Sequence, residues 1–167
     1  EKWPRLVEML EILANADPAQ EDAPAPEEKL ELAQRIRDLR LEKMSDEKGA
    51  FGWAVRAFEV EPSDADVRTS LEKLAGLVGD YERVVELYKA RLPGAPHDEA
   101  LELRRRIAAF ANEQLSDTEE AIDQLNAILE AEPQDGEALR KLDALYRDLN
   151  RIDDLVSLYE HRLEHIE

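Results

Sequence analysis

Cysteine is absent from this chain, and that excludes disulfides and thiolate metal sites. The absence does not choose between the cytoplasm and an extracytoplasmic space. Aromatic side chains make up only 5% of the 167 residues, too few for a sandwich or barrel core. No apolar run approaches the length of a membrane span and no signal-peptide pattern opens the chain, so membrane insertion is not expected and the cytoplasm is the favoured location. Positive charge is in short supply: 22 Lys and Arg stand against 40 Asp and Glu, for a net charge of -18. A chain this acidic repels phosphate backbones, so nucleic acid is not an expected partner. The glycines at 49, 52, 76, 79, 94 and 136 are scattered. They form no phosphate loop or dinucleotide fingerprint, and no nucleophile stands beside an activating base. Neither an enzyme nor a cofactor is expected. The chain begins Glu1-Lys2-Trp3 without a methionine, which reads as a piece of a longer protein.

What the chain does have is an echo of itself. Glu28-Lys29-Leu30-Glu31-Leu32 returns about 71 residues later as Glu99-Ala100-Leu101-Glu102-Leu103, and the match runs without a gap to the end. Ser45-Asp46 returns as Ser116-Asp117, and Glu61-Pro62-Ser63-Asp64 as Glu132-Pro133-Gln134-Asp135. Roughly a third of the compared positions are identical, the signature of stacked repeats.

Apolar spacing is helical almost throughout, and 43% hydrophobic with 37% charged residues suits helices with one apolar stripe and one solvated face. A first helix covers about Trp3 to Leu13, with Pro4 in its first turn, and the proline-rich stretch Asn15 to Pro26 reads as an exposed loop. A second helix covers Glu27 to Lys43. Asp46 caps a third over Glu47 to Val60, and Asp64 caps a fourth reaching Val78. Gly79-Asp80 turns into a fifth, about Tyr81 to Leu92. Asp98 caps a sixth ending near Leu115, Asp117 a seventh that Pro133 ends, and Asp135 an eighth. The ninth starts near Ile152. The fold class is therefore all-α: about nine antiparallel helices in an α-solenoid of helical hairpins.

Ala50, Ala54, Ala57 and Pro62 resemble the second helix of a tetratricopeptide repeat, and Ala121, Leu125, Ile128 and Pro133 repeat that spacing. Gly79-Asp80-Tyr81-Glu82-Arg83 looks like the family's turn between helices. Leu71, Leu74, Leu142, Leu145, Tyr88 and Tyr159 sit at its packing positions. Glu72 and Asp143 replace a usual small residue, and Arg91 and Arg162 a usual alanine; these departures come in matched pairs. The resemblance covers the whole chain and implies a right-handed superhelix. It comprises a lone second helix at 1–14 and four hairpins at 27–62, 64–92, 98–133 and 135–167, similar to arrays in large bacterial scaffold proteins.

More than half of the basic residues lie on the first helices of the hairpins, with Arg104-Arg105-Arg106 the densest cluster. In the family the first helices line the concave face. The resemblance therefore nominates Gln34, Arg35, Asp38, Thr69, Lys73, Arg105, Arg106, Asn112, Arg140 and Arg147 as partner-facing. Such a groove would take an acidic or carboxylate-bearing protein segment through charge-assisted hydrogen bonds. The competing reading pairs Arg35 with Glu31 or Asp38, and Arg106 with Glu102, as ordinary helix-surface ion pairs. His161 and His165 have the spacing of two zinc ligands but no third ligand beside them, and they read as helix surface. Trp53 and Trp3 read as packing residues. The final helix, with Val156, Leu158, Tyr159, Leu163 and Ile166, is more apolar than a solvent-facing cap should be. Two functions follow. The first is a protein-binding scaffold. The second is a spacer that self-associates through its terminal helices.

Overall fold

The computed structural model describes residues 2–16 and 24–165. Among them it contains nine α-helices and one 3-10 turn, and no strand. The helices are α1 (Lys2–Ala14), α2 (Pro26–Met44), α3 (Glu47–Val60), α4 (Ala65–Val78), α5 (Tyr81–Arg91), α6 (His97–Glu113), α7 (Thr118–Ala131), α8 (Gly136–Asp148) and α9 (Ile152–Glu164), with the 3-10 turn at Leu92–Gly94. The loop expected over Asn15 to Pro26 lies mostly outside the described residues. Pro26 itself opens α2, where its fixed φ suits a first helical position.

Aspartates start the helices. Asp64 accepts the amides of Asp66 and Val67, and Asp135, one period later, accepts those of Glu137 and Ala138. Asp46 and Asp117 cap α3 and α7 through the Gly49 and Glu120 amides. The sixth helix corrects the expectation. It starts at His97 behind an extended Pro96, so Asp98 lies inside the first turn and is not the cap. There its charge still favours the positive end of the helix dipole.

The left-handed residues that follow the helices also recur one period apart, although the helix ends themselves repeat less closely than the starts. Ser45 and Ser116 both adopt the left-handed conformation, at φ 53° and 56°. Gly79 and Asn150, also one period apart, do so at φ 75° and 54°. Ser45 and Gly79 directly cap α2 and α4, while Ser116 and Asn150 lie in the turns just past α6 and α8; glycine adopts this conformation without steric cost.

The chain divides into two compact units, Glu1–Val84 and Val85–Glu167, and the division falls inside α5. In the first unit α3 packs between α2 and α4, and α1 packs on α2. Ala50, Ala54 and Ala57 are buried along α3, so neighbouring backbones approach closely, while Phe51 and Phe58 fill the space beside them. A polar knot ties three elements. Arg40 of α2 bonds Glu11 of α1 at 2.5 and 3.0 Å and also bonds Asp46, the cap of α3. Trp53 is buried and donates its indole N–H to the same Glu11 carboxylate at 3.0 Å. Trp3 differs from the packed position expected of it. It is 44% exposed, with the Lys43 ammonium 5.9 Å from its ring centre.

In the second unit α7 packs on α6 and α8, and α8 on α9. The core runs from Leu101, Ala108 and Ala111 through Ile122, Leu125, Ile128 and Leu129 to Leu142, Tyr146 and Leu158. Gln124 stands where the first unit has Trp53. It stays buried by accepting from Arg104 at 2.9 Å and donating to Glu120 at 2.8 Å. A buried amide is tolerated only when both of its ends are bonded in this way.

Candidate functional site

The nominated residues fall on the first helices of each unit, and their surroundings differ. On α2, Gln34 is half-buried and Arg35 exposed, while Asp38 accepts from Arg37 at 2.8 Å. On α4, the Thr69 hydroxyl bonds back to the Ala65 carbonyl at 2.8 Å, and Lys73 is exposed. Among the described residues, Arg35 and Lys73 make no ion pair. The pairs suggested for Arg35 with Glu31 or Asp38 are not formed, and Arg37 takes Asp38 instead. Arg35 borders a cleft of about 350 Å³ with Leu13, Pro24, Glu28, Glu31 and Leu32.

In the second unit the densest basic cluster is spent inside the fold. Arg104 holds Gln124, and Arg106 holds Glu102 at 3.0 Å, as the competing reading expected. Arg105 bonds Asp135 at 2.5 Å and comes within 3.9 Å of Glu137. Asp135 therefore serves at once as the cap of α8 and as an anchor for α6. Burial pushes its carboxyl up, but the Ala138 amide, Arg105 and the Glu137 amide together hold it below the usual carboxylate range. Asn112 is exposed near the end of α6.

Arg140 and Arg147 come together with residues of the last helix. A cleft of about 650 Å³ between α8 and α9 is lined by Gly136, Leu139, Arg140, Asp143, Arg147, Leu158, Tyr159 and Arg162. Arg147 bonds Asp143 at 2.8 Å and the Tyr159 hydroxyl at 2.6 Å, and that hydroxyl donates in turn to Asp143. The Tyr159 hydroxyl first, then Arg147 and more distantly Arg162, hold the Asp143 carboxyl below its ordinary range. Arg140 and Arg162 are exposed and make no ion pair with any described residue. Three arginines and one aspartate thus line the cleft, a local positive excess in a chain of net charge -18. Arg140 and Arg162 are the two exposed without an ion pair, and Arg162 adds its charge to the attraction on Asp143.

Sequence reasoning did not place Tyr159 and Arg162 at this site. The signal was present, since Arg162 departs from the usual alanine, but its meaning depends on α9 packing beside α8. The two histidines face their own backbone. His161 Nε2 lies 3.2 Å from the Pro133 carbonyl and His165 Nδ1 lies 2.8 Å from the His161 carbonyl, so these nitrogens carry the protons. Among the described residues no cluster of His, Asp and Glu is arranged to hold a metal ion.

Capped antiparallel helices of this kind, repeated along the chain, define a helical-repeat fold of tetratricopeptide type. Among solved structures, a point mutant of MamA, itself a TPR-like helical repeat protein, aligns over 98% of this chain and 87% of its own, with a TM-score of 0.50 and 18% sequence identity. No family model matches the chain, and no curated protein matches it in sequence.

Proposed function

We propose that this chain is a non-enzymatic scaffold that binds an acidic protein segment on the faces of its first helices. The partner-facing residues are Gln34, Arg35, Asp38, Thr69 and Lys73 in the first unit, and Arg105, Arg106, Asn112, Arg140 and Arg147 in the second. The observation that carries this reading is that Arg35, Lys73 and Arg140 stay exposed and without an ion pair among the described residues, in a chain with many carboxylates to spare. Such cations lose little by meeting an incoming carboxylate, and they speed its arrival electrostatically. Arg105 and Arg106 would act differently, by holding the surface in shape through Asp135 and Glu102.

The test uses a fluorescein-labelled oligoglutamate peptide and fluorescence anisotropy. Replacing Arg35, Lys73 and Arg140 together by glutamate should weaken binding by about tenfold or more at low salt, because three attractions become repulsions. An affinity that does not change, with the circular dichroism of the variant intact, removes these faces from the account.

A further inference from the structure

The sequence contains one Asp-Gly step, Asp135-Gly136, and no Asn-Gly step. One period earlier the same helix start reads Asp64-Ala65. The glycine answers no demand of the backbone. Gly136 lacks the positive φ that favours glycine, and a Cβ at this position would meet only the end of the Arg140 side chain, at 3.5 Å. An alanine would fit, as Ala65 does at the start of α4.

Glycine at this place has a chemical consequence instead. With no Cβ beside it, the Gly136 amide nitrogen is open to attack the neighbouring side-chain carboxyl. The nitrogen bonds to Asp135 Cγ and loses its proton, and one carboxyl oxygen leaves as water, closing a five-membered succinimide. Water then adds to either imide carbonyl. Cleaving the new N–Cγ bond restores aspartate. Cleaving the original peptide bond leaves isoaspartate, with the main chain running through Cγ and one methylene longer.

The fold restrains this closure. The Asp135 side chain is only 12% exposed, and both of its oxygens are engaged. Oδ1 accepts the Glu137 and Ala138 amides at 3.1 and 2.8 Å, and Oδ2 accepts Arg105 of α6 at 2.5 Å. Ring closure proceeds through the neutral acid, whereas these donors favour the ionised carboxylate. The register mate of Arg105 is Gln34. The arginine and the glycine therefore stand together in the second copy, and neither is present in the first. Gly136 itself is exposed, so water reaches the imide once it forms.

We infer that Asp135-Gly136 is a latent self-modification site, masked in the folded second unit and converted to isoaspartate once the start of α8 opens. The inference is independent of the scaffold reading. Isoaspartate shifts the carboxylate relative to the helix, so the two amides and Arg105 lose it together and α8 loses its cap. The added methylene persists on refolding. The second unit thus accumulates a covalent record of its own local openings.

The test follows isoaspartate at position 135 in the 167-residue chain, by electron-transfer fragmentation mass spectrometry after storage in warm neutral buffer. In denaturing urea it should accumulate about tenfold or more faster than in native buffer, since the reaction follows the open population. Arg105→Gln, checked as folded by circular dichroism, should speed the native reaction about three- to tenfold through loss of one interhelical bond. In urea the same variant should match the unaltered chain, because Arg105 acts only through the fold. Should Arg105→Gln fail to fold, Arg105→Lys carries the same comparison, with a point charge in place of the planar fork. Gly136→Ala should slow the urea reaction several-fold while leaving α8 in place. A native rate equal to the urea rate overturns the inference, as does isoaspartate appearing first at another aspartate. So does a folded Arg105 variant that reacts no faster than the unaltered chain in native buffer.

Discussion

Asp135 shows how much one side chain holds in this fold. It caps α8 through two amides and receives Arg105 from α6, so Asp135→Ala removes a cap and an interhelical bond together. Loss of a cap alone costs about 0.5–2 kcal/mol, and urea unfolding should place this variant in the upper part of that range. The acid response has a definite sign. Asp46 is held below the usual range first by the Gly49 amide and then, against burial, by Arg40, and Asp135 is depressed as well. A carboxylate whose folded pKa is depressed stabilises the fold above its unfolded value of about 3.9, and that stability is lost as pH falls through the folded value. Asp46→Asn and Asp135→Asn should therefore flatten the fall of the urea midpoint below about pH 4. An acid limb that keeps its slope would show that other carboxylates carry it. Ser116 makes the opposite case, since its left-handed backbone strains any side chain. Ser116→Gly should raise the melting temperature by a few degrees, on the order of 1 kcal/mol, and a drop in differential scanning calorimetry would refute the strain argument.

Among the helices, the arginines of the first helices divide into two kinds that exposure alone does not distinguish. Arg105 links α6 to the start of α8, so Arg105→Glu should destabilise the chain by about 1–3 kcal/mol. Arg140 makes no such link, and Arg140→Glu should stay within about 0.5 kcal/mol of the parent in the same denaturant titration. Equal losses would collapse the distinction. The helices were legible because their punctuation is local. Asp46, Asp64, Asp117 and Asp135 precede apolar periods and cap them a few residues away. The start of α6 was misread because Pro96 and Asp98 both look like a boundary, and only the backbone of Pro96 decides between them. The positions of the basic residues were legible as well. Their partners were not, because Arg105 and Asp135 meet across 30 residues of chain and no local pattern announces that contact. Tyr159 and Arg162 joined the candidate site for the same reason: their neighbours in space come from α8.

Across the whole molecule, a net charge of -18 is a repulsion that every compact state must overcome. Added salt screens it, shortening the Debye length from about 30 Å at 0.01 M to about 8 Å at 0.15 M. Thermal stability should therefore rise with sodium chloride over that range. Binding of oligoglutamate should weaken over the same range, because that attraction is screened too. A melting temperature that falls with salt would mean that the many ion pairs outweigh the net repulsion. The buried indole of Trp53, bonded to Glu11, has a different consequence. Both tryptophans of the chain lie in the first unit, while Gln124 takes the matching place in the second. Intrinsic tryptophan emission is thus a built-in reporter of one half of the polypeptide, with no label and no engineering. Recorded beside far-ultraviolet ellipticity, which sees every helix, it reveals whether the two halves melt as one cooperative block or in sequence.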